Sequence, residues 1–249
     1  MTQLAILDIN QRIARLTINR PEARNALSTD LLAALHDAAK TLAARPDVSV
    51  LVISGAGKAF CAGMDLKAVL NDPAAPGTLL SALGEFTLAL RSLPMVVVAK
   101  VNGPAIGGGC GLACVADVAM TFAENKMGFP EVDLGVCPAV VAPWLVRKIG
   151  AGRARKVLLT GGLLSGAEAM QLGMVDHCVE QAADLDAACE KLVARLAEGG
   201  PNAVRATKGL LNELDGSMDA DLIRRGAALS ASVIATPETQ ATLRAKLGM

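Results

Sequence analysis

The sequence predicts an α/β domain with largely parallel strands, followed from about residue 180 by helices alone. Three features carry this expectation. Short apolar, β-branched runs alternate with stretches of helical periodicity, glycine and proline turns separate them, and four amphipathic segments close the chain without an intervening strand. At 249 residues, without a Pro/Gly/Ser-rich linker or a charge block, the chain has the length of one large domain or of one domain with a helical extension.

LAILDI and RIARLTI flank a polar Asn10-Gln11 turn and read as a hairpin. NRPEARNAL then reads as a loop. Ser28 can cap a helix carrying Leu31, Leu32, Leu35, Ala39 and Leu42 at helical spacing, which ends before Pro46. VSVLVIS follows as a buried strand, and Gly55 and Gly57 mark a turn into AFCAGMDL. After the loop NDPAAPG come a helix over about 78–92, the strand MVVVAKV, a glycine run at Gly107–Gly109 opening a short helix, and the strand VAMTFA. The closing segments are LDAACEKLVARLAE, NAVRATKGLLNEL, DADLIRRGAALSASVI and PETQATLRAKL. A helical layer of this kind can cover its own sheet or join copies of the chain. We divide the chain into an α/β core over 1–190 and a C-terminal helical, oligomerising region over 191–249.

Composition narrows the function. Twenty-four acidic and twenty-four basic residues cancel, and four Phe, one Trp and no Tyr leave little to stack on bases, which argues against nucleic acid. The six cysteines form no CxxC pair and the two histidines, His36 and His177, lack zinc-site spacing, so the cysteines are expected to be reduced thiols in a cytoplasmic protein. The opening MTQLAILDIN lacks the layout of a signal peptide. The uncharged run Val101–Ala116 is glycine-rich and shorter than the roughly 20 residues a spanning helix needs, so it is expected to lie in the core and not in a membrane.

The glycine run is the chemical clue. Leu112 stands where GxGxxG needs its last glycine, no Gly-Lys-Ser/Thr follows, and no GxSxG elbow occurs. What remains is close approach of bare backbone to a ligand at a helix N-terminus, where free N–H groups and the helix dipole favour negative charge. That is half of an oxyanion hole, and the glycine-bearing turn FCAGMDL after a buried strand could supply the other half.

Taken together, NRPEARNAL at 19–27, SGAGKAFCAGMDL at 54–66, VNGPAIGGGCGLACVADVAMTFAENKMGFPEVDLGVCP at 101–138 and LLTGGLLSGAEAMQLGMVDHCV at 158–179 resemble the enoyl-CoA hydratase/isomerase (crotonase) superfamily. The resemblance covers about residues 5–215 and implies a crotonase-like core, a repeated ββα spiral, with a C-terminal helical region that builds trimers and often hexamers. It also implies that the N–H groups of Ala62 and Gly108 hold a thioester carbonyl oxygen and stabilise its enolate. Arg24, Ala26, Gly63, Met64 and Asp65 fall where family members contact coenzyme A, and Lys208 could reach its phosphates. The implied partners are an acyl-CoA thioester and further copies of the chain. No metal or cofactor is implied, coenzyme A being part of the substrate.

The pattern departs from typical hydratases at one of their two glutamates. The first position is Gly111 and the second is Glu131, which becomes the catalytic acid/base. Ala139 stands where hydrolase and dienoyl-isomerase branches carry a second acid, which leaves Asp133, Glu85 and Glu124 as other carboxylates to consider. GFPEVDLGVCPAVVAPWLVRKIG is similar to hydratases of branched or carboxylated enoyl-CoA substrates, which favours hydration of a 2-enoyl-CoA, possible here only with a single glutamate. One carboxylate suffices more simply for Δ3-Δ2 enoyl-CoA isomerisation, and the missing acid also suits a non-catalytic CoA-binding protein. Leu243 replaces an aromatic that many members place near the CoA pocket.

Overall fold

The computed structural model describes residues 3–72 and 74–248. β1 (Ala5–Asn10) and β2 (Ile13–Ile18) form the expected hairpin, turned by Gln11 at φ 52°. α1 (Thr29–Ala43) starts where Ser28 accepts the Leu31 N–H at 3.2 Å, and its leucine face is buried. β3 (Val50–Gly55) and α2 (Leu66–Asn71) lead to α3 (Ala75–Ser92), which begins before the expected residue 78. Pro73, in the expected NDPAAPG loop, lies outside the described residues. β4 (Val96–Lys100), β5 (Ala105–Ile106), α4 (Gly108–Val115), β6 (Val118–Phe122) and β7 (Lys126–Gly128) follow.

Between these and the C-terminal helices, sequence periodicity assigns little. The structure places there α5 (Ala142–Ile149), α6 (Ala151–Thr160), β8 (Leu163–Ser165), α7 (Gly166–Leu172) and β9 (His177–Val179). α8 (Leu185–Ala197), α9 (Pro201–Leu214), α10 (Ala220–Ile234) and α11 (Pro237–Leu247) are the four expected closing helices.

The main sheet runs β1-β2-β3-β4-β6-β9 and is parallel except at the hairpin, as expected. Both of its faces are covered, which explains the unbroken apolar run of β3. Leu51 and Ile53 face the larger core with α1 and α3, while Val50 and Val52 join Val98 and Met120 under Leu185, Cys189 and Val193 of α8. A second sheet, β5-β7-β8, escapes sequence reading because its strands are only two or three residues long.

The division at residue 190 falls inside α8, which covers the sheet and therefore belongs to the core. The helices after it also pack on their own chain. Ile223, Ala227 and Ile234 of α10 and Leu243 of α11 lie in the main core, and Gly226 sits so close to the Ala139 carbonyl that a Cβ would approach its oxygen to 2.4 Å. Among the described residues no helix is long and apolar enough to cross a membrane.

Lys208 of α9 does not reach for a ligand. Its Nζ is buried, donating to Asp117 at 2.6 Å and to the Met95 carbonyl at 2.9 Å, and so pins α9 to the end of the sheet. Without Lys208, Asp117 keeps Arg91 at 3.3 Å and the Val97 N–H at 2.8 Å, so the loss is that of two charge-assisted hydrogen bonds. Lys208→Met is accordingly expected to cost about 1.5–3 kcal/mol, seen as a lower urea midpoint at unchanged m-value; an unchanged midpoint would show that the pair does not anchor α9.

Candidate active site

The three consecutive glycines each do something different. Gly107 caps α4 at φ 52°, ψ −117°, a backbone conformation that L side chains rarely adopt, and a Cβ there would stand 2.7 Å from Glu131 Oε1. Gly108 fits between Leu27 and Leu83, where a Cβ would stand only 3.1 and 3.3 Å from their methyl groups, so both leucines would have to give way. At Gly109 a Cβ would meet the Cys61 carbonyl oxygen at 2.2 Å, so only glycine lets α4 start against the 60–64 segment. Among the described residues no acceptor pairs with the Gly108 N–H, an expected orphan of a first helical turn.

The 60–66 segment is held from two sides. The Ile106 N–H bonds the Cys61 carbonyl, while the Leu27 N–H bonds Gly63 O and the Asp65 N–H bonds Leu27 O, a parallel bridge that turns the Met64 N–H to the opposite side. That N–H has no acceptor among the described residues. The Ala62 N–H donates to the Arg24 carbonyl at 3.0 Å. Ala62 is therefore corrected as the oxyanion donor: its hydrogen bond is spent on the fold, and the unpaired donor of this turn is Met64, two residues on.

The free donors and Glu131 converge. Ala62, Gly63, Met64, Gly107, Gly108 and Glu131 line one cavity of about 80 Å3, whose other walls are mainly Leu80, Leu83, Leu134, Val140 and Val141. Glu131 precedes a 3-10 turn over 132–134, and its carbonyl accepts the Leu134 and Val136 N–H groups, which fixes the side chain's origin. Glu131 Oε2 is buried without a hydrogen-bond partner among the described residues. Burial pushes the carboxyl up from 4.5 to about 7, although its own backbone N–H favours the charge. Desolvation wins here.

A profile of the family described as Enoyl-CoA hydratase/isomerase matches residues 8–245. The chain is 36% identical over 211 residues to a crotonyl-CoA hydratase of Syntrophomonas wolfei, covering 84% of this chain and 81% of that protein. It is 33% identical to a 2,3-dehydroadipyl-CoA hydratase of Escherichia coli, covering 84% and 81% of the two. A crystal structure of an enoyl-CoA hydratase from Mycobacterium avium subsp. paratuberculosis superposes with a TM-score of 0.86 at 26% identity, over 98% of each chain. The chain belongs to the enoyl-CoA hydratase/isomerase family.

Against that family's pattern of two glutamates, position 111 is closed. A Cβ on Gly111 would lie 2.2 Å from Val141 Cγ1 and 2.7 Å from Val141 Cβ, so the valine occupies the space into which a longer side chain would project. The other carboxylates considered from the sequence do not replace it. Asp133 accepts the Gly162 N–H, Glu85 pairs with Arg224, Glu124 is exposed, and none of the three lines the cavity. Ser230 does line it, but its hydroxyl is used between the Cys137 carbonyl and the Ala139 N–H.

Of the coenzyme A contacts that the family resemblance suggested, Gly63 and Met64 line the cavity, whereas Arg24, Ala26 and Asp65 do not. Arg20, absent from that set, pairs with Asp65 at 2.8 Å and donates to the Ala26 carbonyl, tying both to one knot. Asp65 also caps α2 through the Ala68 N–H. Asn25, in the left-handed region at φ 57°, accepts the Arg20 N–H and donates to Ala56 O and Ala59 O, which aims the Arg24 carbonyl at Ala62.

Two outcomes test this geometry. Gly111→Glu is expected to be strongly destabilised, and adding Val141→Gly to recover part of the loss, a favourable coupling of at least about 1 kcal/mol in a double-mutant cycle by thermal denaturation. Glu131 ionises near 4.5 when unfolded and near 7 when folded, so rising pH favours the unfolded chain across that window and the penalty is constant above it. Glu131→Gln is expected to stabilise the protein at pH 8, by up to about 3 kcal/mol, and to leave it unchanged at pH 4.

Proposed function

We propose that the protein hydrates a 2-enoyl-CoA with a short, neutral acyl chain, using Glu131 as the sole carboxylate at the reacting carbons. The observation that carries this reading is the buried Glu131 carboxyl, brought to about 7 beside the first turn of α4, with two unpaired N–H groups in the same cavity. Both sequence relatives described above are named as hydratases, which supports the reaction. Among the described residues no Lys, Arg or His lines the cavity, which disfavours an acyl chain ending in a carboxylate.

In this mechanism the thioester oxygen accepts from the Met64 and Gly108 N–H groups. Ionised Glu131 takes a proton from water as the water oxygen bonds to C3, and the displaced π electrons move onto the thioester as an enolate. Each backbone donor stabilises that oxyanion by about 3–4 kcal/mol. Glu131 then returns the proton to C2. Because one carboxylate serves both carbons, H and OH add to the same face.

Val141 in the place of the first acid favours a second reading, Δ3-Δ2 isomerisation, in which Glu131 moves a proton between C4 and C2 through the dienolate. The exposed Leu210, Leu211 and Leu214 of α9 support assembly into several copies, the trimer or hexamer suggested by the family.

For hydration, turnover of 2-enoyl-CoA in ¹⁸O-water gives a product carrying the label; for isomerisation, 3-enoyl-CoA is converted without it. kcat/KM for the working reaction is expected to rise with pH and level off above about 7, as the base form fills. Glu131→Gln is expected to lose about 10²–10⁴ in kcat, and retention of more than a tenth of the activity would remove Glu131 from the mechanism.

A further inference from the structure

Glu131 and the Met64 N–H stand at the starts of two short segments, the 3-10 turn over 132–134 and α2. Each segment puts one wall residue into the glutamate cavity, Leu134 from the turn and Leu66 from α2. Segments this short do not hold their shape alone and take it from what they pack against. Here α11 packs against both.

On the Glu131 side, Thr239 of α11 is buried and donates its hydroxyl to the Gly135 carbonyl at 3.0 Å, and Gly135, at φ 72°, is the left-handed residue that ends the turn. The other flank of the turn is tied separately, since Asp133 accepts the Gly162 N–H at 2.8 Å. Loss of the Thr239 bond therefore frees the Gly135 end alone. On the Met64 side, Arg244 Nη2 donates to the Leu70 carbonyl at 3.1 Å, in the last turn of α2, where carbonyls have no partner inside the helix. Between the two, Leu243 anchors α11 in the main core.

We infer that Thr239 and Arg244 are positioning residues, through which α11 sets the Glu131 carboxyl and the Met64 N–H against one cavity of their own chain. The inference rests on the proposed mechanism for the roles of those two groups. Without the Thr239 hydroxyl the turn can lift from α11 and admit water to the carboxyl, which weakens the desolvation that holds it near 7. Cys110 and Cys137 feel the Glu131 charge, but burial raises both thiols from 9.0, so neither ionises between 4.5 and 7. Among the described residues no other charged side chain lines the cavity.

The full chain labelled with ¹³C at the glutamate carboxyls is titrated by NMR, the Glu131 resonance being the one lost in Glu131→Gln. In Thr239→Val its midpoint is expected to move from about 7 toward 4.5, with a loss of about tenfold or more in kcat and little change in KM, whereas Thr239→Ser keeps wild-type values. Arg244→Met is expected to lower kcat with the Glu131 midpoint unchanged, and an unchanged kcat would remove Arg244 from the pair. A folded Thr239→Val chain in which Glu131 still titrates near 7 would overturn the role of Thr239. If Glu131→Gln keeps its turnover the proposed mechanism falls, while the titration still decides the positioning. Native-state hydrogen exchange tests the unaltered chain: the Leu134 and Val136 amides, both bonded to the Glu131 carbonyl, are expected to lose protection together with those of α11. Their staying protected after α11 has opened would overturn the inference whether or not any variant folds.

Discussion

The contact on which the rest of the site depends is between backbone and backbone: the start of α4 lies against the Cys61 carbonyl at a distance that leaves no room for a Cβ on Gly109. This approach sets the 60–64 turn beside the first helical turn. The strand bridge Cys61 to Ala105 and the Ile106 to Cys61 hydrogen bond hold one side of it, and the Leu27 to Met64 bridge holds the other. Two N–H groups on different elements can then border one cavity without being satisfied by the fold. Their lack of acceptors is a cost to folding and, in the proposed mechanism, an asset to oxyanion binding, the compromise expected where sites depart from the rules that govern cores.

The same logic governs Glu131. Gly107 has no side chain, so the carboxylate can come against the helix start, where the dipole contributes at most about 1–2 kcal/mol to the charged form. A rise to about 7 corresponds to about 3 kcal/mol in the opposite sense, so the apolar walls decide the balance. A carboxyl balanced near neutrality can both accept and return a proton. A mechanism with one acid/base needs that property more than one that divides the roles between two groups.

Much of this was legible in the sequence, and what was not had a physical reason. Long, strongly periodic elements such as α1, α3 and α10 and the buried run of β3 announce themselves through burial. The short strands β5, β7 and β8 carry too few residues to show a period. Glu131 and Gly108 were placed by motif, whereas the choice between Ala62 and Met64 depends on register, because alternate N–H groups of a bridged segment point to opposite sides. Lys208 read as a surface cation because composition does not reveal that Asp117, far off in sequence, lies beneath it. Asn25 was open to inference: an asparagine in a tight loop is a frequent carrier of left-handed backbone.

Gly111 shows how the loss of a catalytic group can be built into packing. If only the acid were missing, a void would remain beside the substrate, and water or a neighbouring carboxylate could fill it. Instead Val141, the residue that caps α5, closes the space to within van der Waals contact of the glycine. The wall facing Glu131 is therefore apolar and fixed by a helix that is held by the buried Trp144 and by the hydrogen bonds of Arg147 to the Asp215 and Gly216 carbonyls. Among the described residues Glu131 is the only carboxylate that lines the cavity, and in the proposed mechanism it alone carries the proton in and out. Either proposed reaction then uses the same face of the acyl chain at both carbons, whether the proton's partner is water or the chain itself.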